Sequence, residues 1–302
     1  MNINTLESRE NFLGIEEPEY YSFNEAKVAI FPVPYEHTVS YGEGTRNGPH
    51  ALLDASRYLE FFDEETKREV FRELGIATLE YLDCENAADE EILERIYRTV
   101  QTLIHNKKFM VMIGGEHTIT QAAVAAYAEQ YRDLSVLQFD AHSDLRTEYK
   151  GSKFSHASVM ARICEFLDPQ RIVQVGIRAQ CIEEAEFIEQ RGITTLYAHE
   201  IRSGKYTKLL KYWEDYPIEK LSDHVYVTFD VDAFDPSIMP STGTPEPNGL
   251  LWSETMSLLK KLGRRKKVVG CDVVELAPIR GLHHADLTAA RLVSKMINYF
   301  VR

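Results

Sequence analysis

Two hydrophobic rhythms alternate along this chain. Short runs rich in Val, Ile and Phe occur at "KVAIFPVP" (27–34), "FMVMIGG" (109–115), "LSVLQFDA" (134–141), "RIVQVGIR" (171–178), "TTLYA" (194–198), "HVYVTFDVD" (224–232) and "KVVGCDVVEL" (267–276). Runs this short, apolar on both faces, predict strands of a parallel sheet covered on both sides. Between them lie longer stretches with helical spacing. The first, 89–106, places Ile92, Ile96, Val100 and Leu103 on one face. Further helices are predicted at 118–131, 155–167, 253–263 and 286–300, the last with Asp286 as its N-cap.

Strand–helix–strand alternation of this kind predicts an α/β fold on a mainly parallel sheet. No Pro/Gly/Ser-rich linker and no internal repeat interrupts it, so the 302 residues read as a single domain. Residues 1–25 are polar and aperiodic and are expected to wrap the surface as an N-terminal extension.

The residues at the carboxyl ends of the apolar runs change the picture. After "MVMIGG" come Glu116 and His117. After "VLQF" come Asp140, His142 and Asp144. After "VYVTF" come Asp230 and Asp232, and after "VVGCDVV" comes Glu275. Each alone has a plain explanation. A histidine after Gly-Gly is most often a turn residue, Asp-x-His-x-Asp can be a solvated loop, and Asp-x-Asp can cap a strand end. Ligands of open parallel sheets, however, bind beyond the carboxyl ends of the strands. Side chains two apart on a strand share a face, so Asp140, His142 and Asp144 are expected to converge, with Asp230 and Asp232 meeting them from a neighbouring strand.

Carboxylates that dense at the edge of a buried sheet repel one another unless a cation neutralises them. Six ligands are too many for one ion with an open position, and two ions sharing bridging carboxylates fit better. Carboxylate and imidazole without thiolate suit Mn²⁺ best, with Zn²⁺, Co²⁺ or Fe²⁺ as alternatives. Two such ions about 3.5–4 Å apart activate a bridging water, which points to metal-assisted hydrolysis.

The formal net charge of −13 argues against nucleic-acid binding, which wants a basic face, and is compatible with a small cationic substrate. No apolar run reaches the roughly 20 residues that span a bilayer, and no secretory leader is visible at the N-terminus. The four cysteines form no C-x-x-C pair, so a reducing cytoplasm is the expected compartment.

The motifs "SYGEGTRNGPHAL" (40–52), "GGEHTIT" (114–120), "FDAHSDL" (139–145), "SHAS" (155–158), "TFDVDAFDPSIMPSTGTPEPNGL" (228–250) and "CDVVELAP" (271–278) together resemble the ureohydrolase family, which contains arginase and agmatinase. The resemblance spans about residues 30–300. It implies a three-layer α/β/α sandwich and two Mn²⁺ per subunit. One ion would be held by His117, Asp140, Asp144 and Asp230, the other by His142, Asp140, Asp230 and Asp232, with Asp140 and Asp230 bridging. It also implies that Glu275 receives the substrate guanidinium, that His156 shuttles a proton, and that the chain forms a trimer or hexamer. Asp144 is a candidate to orient the attacking hydroxide.

Glu246 in "GTPEPNGL" and the loop "FSHAS" look like agmatinase rather than arginase. Agmatine is therefore the expected substrate, giving putrescine and urea and placing the reaction in polyamine biosynthesis. The alternatives are guanidinobutyrate, guanidinopropionate or arginine, or a non-catalytic metal-binding homologue. Ala157 and Asn248 depart from the family's usual glycines near the pocket. Arg146 and Lys153 are expected to be solvated loop charges, and His283-His284 a helix-entry loop. Glu36 or Glu43 in the Gly-rich loop is a candidate for substrate contact.

Overall fold

The computed structural model describes residues 3–208 and 210–302. Eight strands form one sheet: β1 Val28–Val33, β2 Ile76–Thr78, β3 Phe109–Gly114, β4 Ser135–Phe139, β5 Ile172–Ile177, β6 Thr194–Tyr197, β7 His224–Asp230 and β8 Lys267–Val274. The order across the sheet is β2-β1-β3-β8-β7-β4-β5-β6, and every neighbouring pair is parallel. All carboxyl ends therefore lie on one edge. The strands that carry the charged motifs, β3, β8, β7 and β4, are adjacent at the centre. Residues from distant parts of the sequence thus reach one spot.

Alternation along each strand feeds two cores. Val28, Ile30, Val111 and Ile113 face one side, with Leu258, Leu259, Leu292 and Met296 from the helices Trp252–Arg265 and His283–Phe300. Ala29, Phe31, Met110 and Met112 face the other, against Ile92, Ile96, Val100 and Leu103 of the helix Asp89–His105. This is a three-layer α/β/α sandwich. Each fully buried Ile or Leu contributes about 1.5–3 kcal/mol relative to exposure. The helix Asp89–His105 begins with Asp89, Glu90 and Glu91 in its first turn, where carboxylates oppose the positive end of the helix dipole.

Several predicted boundaries move. β2 escapes prediction because three residues are too few to show a period. The predicted helix 155–167 is a 3-10 turn, His156–Ser158, followed by the short helix Val159–Ile163. The last helix begins at His283 with Leu282 as its N-cap, so Asp286 lies in its first turn instead of capping it, and His283-His284 are helical. The N-terminal segment also does more than wrap the surface. Phe12 and Ile15 are fully buried in the first core. The buried Asn11 side chain holds that turn by bonding both the N–H and the carbonyl of Ile15. No helix among the described residues is long and apolar enough to cross a membrane.

Candidate functional site

β4 ends at Phe139 and β7 at Asp230, so the candidate ligands converge from turns and not by strand alternation. Asp140 Oδ1 accepts the His142 N–H at 2.6 Å, and Asp230 Oδ1 accepts the Asp232 N–H at 2.8 Å, folding each segment back on itself. Asp144 adopts φ +54°, and its carbonyl accepts the N–H groups of Met160 and Ala161. Glu275 adopts φ +66°. Left-handed backbone at non-glycine residues costs about 1–3 kcal/mol each and gathers at functional sites. Here it aims two carboxylates inward.

All six expected ligands are brought together. His117 Nδ1 lies 3.1 Å from Asp140 Oδ2, 3.2 Å from Asp144 Oδ2 and 3.6 Å from Asp230 Oδ2. His142 Nδ1 lies 2.9 Å from Asp232 Oδ2 and 3.7 Å from Asp140 Oδ1. Two groups of metal-ligand spacing result, His117/Asp140/Asp144 and Asp140/His142/Asp232, and they share Asp140. Asp230 stands beside the first.

The donor set fits a cation. His117 is fully buried, and its Nδ1 has no hydrogen-bond partner despite the carboxylate oxygens around it. Its Nε2 is 2.8 Å from Thr228 Oγ1, and that hydroxyl donates to Asp272 Oδ1 at 2.6 Å. Thr228 therefore accepts from Nε2–H, which leaves the Nδ1 lone pair pointing at the aspartates. Lone pairs aimed at a common point from nitrogen and oxygen are what a divalent ion satisfies, and a partner fixing the far ring nitrogen is typical of metal-binding histidines. Behind the ligands, Gln138 donates to Asp140 Oδ2 at 2.8 Å and the Ala141 N–H to Asp232 Oδ1 at 2.9 Å.

The charges are frustrated without a cation. Burial, then Asp144 and Asp232, push Asp140 up to about 7. Burial, then Asp232 and Asp140, push Asp230 well above the usual carboxylate range. Burial would likewise raise Asp232, but the imidazole of His142 holds it down at about 2. Burial opposes charge on His142, yet Asp232 and then Asp140 carry it up to about 10. Protons do here what a divalent ion does better.

Around this floor lies a cavity of about 330 Å³ whose walls include His142, Asp144, Arg146, Tyr149, His156, Gln180, Glu184 and Glu246. Glu275 is nearly buried, its Oε1 accepting the His117 N–H at 2.7 Å, and burial followed by Glu116 raises its carboxyl well above the ordinary value. Burial lowers His156 below the usual imidazole value, against the pull of Asp144 and Glu116. Arg146, expected as a solvated loop charge, keeps 37% of its side chain exposed and also lines the cavity. It packs 5.1 Å over the Tyr149 ring and lies 3.9 Å from Glu184. Glu36 does not reach substrate space. Its carboxylate accepts from Arg46 N at 2.7 Å, Gly44 N at 3.1 Å and Thr45 Oγ1 at 3.2 Å, clasping its own loop.

Glu246 stands at the mouth, between this cavity and a second hollow of about 550 Å³ lined by Arg178, Gln180, Tyr197, His199, Pro247 and Asn248. Its loop is pinned by Arg178, whose Nη2 donates to the carbonyls of Asp232 at 2.7 Å and Glu246 at 2.8 Å, while Nε donates to that of Pro247 at 3.1 Å. Gly249 is required beneath it, since a Cβ would meet Asp235 N at 2.4 Å and Arg178 Nη2 at 2.7 Å. Gly115 is equally constrained, because a Cβ there would sit 1.9 Å from the Tyr35 carbonyl oxygen. The sequence assigned no role to Arg178, Thr228, Glu116 or Asp272. Of these, Glu116, at the carboxyl end of an apolar run, and Asp272, a charge inside an apolar strand, carried a visible signal.

A parallel α/β/α sandwich with paired carboxylate–imidazole groups at its central strand ends defines a metal-dependent hydrolase class. Residues 26–298 match the arginase family, and the chain belongs to it. It is a ureohydrolase acting on guanidino compounds. An N(1)-aminopropylagmatine ureohydrolase from Synechocystis is 36% identical, covering 95% of this chain and 93% of the relative. An agmatinase from Bacillus cereus is 32% identical, covering 93% and 94% respectively. The crystal structure of agmatine ureohydrolase from Thermoplasma volcanium superposes with a TM-score of 0.82 at 30% identity, covering 92% of this chain and 91% of that one.

Proposed function

We propose that this protein is a dimanganese amidinohydrolase that cleaves agmatine to putrescine and urea. The observation that carries the reading is the pair of ligand groups meeting at Asp140 with Glu275 seated beside His117. His117, Asp140, Asp144 and Asp230 would hold one ion, and His142, Asp140, Asp230 and Asp232 would hold the other. When bound, the two ions supply a nucleophilic oxygen at neutral pH and positive charge for a tetrahedral intermediate.

The chain's own residues do the rest. Glu275 receives the guanidinium and holds its carbon toward the ligand groups. Asp144 accepts a hydrogen bond from the attacking oxygen and orients it. His156 gives the leaving nitrogen its proton, so that the product departs as an amine and not as an amide anion. Glu246, at the mouth, pairs with the ammonium at the far end of the substrate and disfavours a carboxylate there.

A second reading has its own support. The hollow of Tyr197 and His199 shares Gln180 and Glu246 with the cavity, which places room for an agmatine lengthened at its amine next to Glu246. Relatives at 36% and 39% identity bear the name N(1)-aminopropylagmatine ureohydrolase. Urea release by the Mn²⁺-loaded enzyme from agmatine, N(1)-aminopropylagmatine, arginine, 4-guanidinobutyrate and guanidine decides between them. Agmatine is expected to be turned over with the highest kcat/KM. Preference for the aminopropyl compound transfers the assignment to the second reading, and preference for arginine or guanidinobutyrate overturns both.

A further inference from the structure

His156 does not stand alone at the cleft wall. Its ring nitrogen Nδ1 lies 3.2 Å from Thr38 Oγ1, and its backbone N–H donates to the same oxygen at 3.1 Å. The Thr38 hydroxyl in turn makes a short hydrogen bond to Glu116 Oε2, while the Thr38 N–H donates to Glu116 Oε1 at 2.5 Å. Glu116 is fully buried, so nothing but its neighbours satisfies it.

Counting donors fixes the protons. A carboxylate only accepts, so the hydrogen between Thr38 and Glu116 belongs to Thr38. A hydroxyl has one hydrogen and two lone pairs. With its hydrogen given to Glu116, Thr38 Oγ1 accepts from both His156 groups that face it. The His156 ring must then carry its hydrogen on Nδ1 and a lone pair on Nε2.

We propose that Glu116 and Thr38 are positioning residues that hold His156 in the Nδ1–H form, presenting Nε2 to the substrate. The inference rests on the proton-shuttle reading of His156 and adds how that histidine is set. In the reaction, Nε2 takes a proton from solvent to give the imidazolium. As the carbon–nitrogen bond breaks, its electron pair stays on the leaving nitrogen, which takes the Nε2 proton. The ring returns neutral, with Nδ1–H still on Thr38. The other tautomer has no Nε2 lone pair to take that proton, and giving up its Nε2 proton would leave an imidazolate instead of a neutral ring. The Tyr149 ring packs edge-on against His156 at 6.2 Å and limits its rotation.

The test compares Thr38→Val, which keeps shape and removes the hydroxyl, with Thr38→Ser, which restores it. His156→Asn serves as the reference. Thr38→Val is expected to lower kcat by roughly 10- to 100-fold, as loss of an outer orienting partner does, with KM for agmatine and the metal content per chain unchanged. Thr38→Ser should recover most of kcat. In zinc-loaded protein labelled with ¹⁵N-histidine, the His156 shifts should show a protonated Nδ1 and a bare Nε2, and Thr38→Val should mix the two forms. Wild-type kcat in Thr38→Val, or a His156 protonated on Nε2 in the wild type, overturns the proposal. Full activity in His156→Asn would instead overturn the shuttle reading itself. Should Thr38→Val fail to fold, the wild-type tautomer still decides.

Discussion

The floor and the mouth of the cleft are built on opposite plans. On the floor, Asp140, Asp144, Asp230 and Asp232 are all buried; Asp140 and Asp230 each accept a backbone N–H from their own turn, and Asp232 accepts one from the turn after β4. At the mouth, Glu246 is half-buried on a loop whose residues Pro247 and Asn248 are exposed, and Asn248 is held at φ +66°. The floor is over-determined; the mouth hangs largely on Arg178. A reaction demands fixed geometry where bonds change, whereas substrate choice is free to vary in a loop placed on a rigid scaffold.

The sharpest way to break that comparison is to remove a floor ligand. Asp232→Ala takes the partner from His142 and an acceptor from the Ala141 N–H. It is expected to lower the metal content below two ions per chain. Turnover should fall by at least the ~100- to 1,000-fold that loss of a single charge-stabilising group costs, with the fold retained by circular dichroism. A variant that kept both ions and full turnover would show that the second ligand group is misassigned.

Metal removal probes the same floor through stability. In metal-free protein Asp140 stands at about 7 against an ordinary 3.8. Between those values the folded state holds a proton that the unfolded chain has released, so stability falls as pH rises through that window. His142, held at about 10 from an ordinary 6.5, adds a loss in the same direction at higher pH. A bound cation replaces those protons, so its own affinity rises with pH. The chelated protein is expected to lose more than about 4 °C of Tm between pH 5 and pH 8, and the Mn²⁺-loaded protein to show no such fall. A chelated Tm that climbs over that range contradicts the electrostatic account of the floor.

This division also explains what was legible in the sequence. The strands declared themselves through Val- and Ile-rich runs, and the floor residues through charges at the ends of those runs, because burial forbids such charges without a purpose. The route by which they converge was not legible. Strand alternation suggested a shared face for Asp140, His142 and Asp144, whereas the structure uses turns and a left-handed Asp144. Positive φ at a non-glycine residue leaves no mark in composition. Thr38 and Arg178, and the link from Thr38 to Glu116, were hidden for a related reason. Their partners are backbone groups and side chains distant in sequence, and no spacing encodes them. The burial of Phe12, Leu13 and Ile15 was missed because a short apolar cluster in a polar stretch makes no period.

Arg178 is where floor and mouth meet, so its loss should blur the comparison. Burial lowers its guanidinium below the ordinary value, although Asp232 and Asp140 favour the charge, and its hydrogen bonds go to carbonyls. Arg178→Ala strands the carbonyl of the buried Asp232, at about 1–3 kcal/mol for a buried acceptor left unpaired, and frees the Glu246 carbonyl to solvent. A lower Tm is expected, together with a KM for agmatine raised by about 10-fold, the equivalent of 1.4 kcal/mol. Metal content should hold at two ions. Loss of metal with unchanged KM would place Arg178 with the floor alone.

The smallest effect is the most informative about substrate. Glu246→Gln keeps the size of the side chain and removes its charge at a half-exposed position. Ion pairs in such settings contribute about 0–1 kcal/mol, so KM for agmatine should rise only about 2- to 5-fold, with kcat nearly unchanged. Free guanidine has no distal ammonium and should be hydrolysed as before. For a substrate lengthened by an aminopropyl arm, the charge nearest Glu246 is a secondary ammonium, and the arm's end lies toward Tyr197 and His199. If that compound loses more affinity than agmatine in Glu246→Gln, the mouth is built for the longer chain. If neither amine changes while guanidinobutyrate improves, Glu246 acts by repelling carboxylates, and it selects substrate by exclusion instead of attraction.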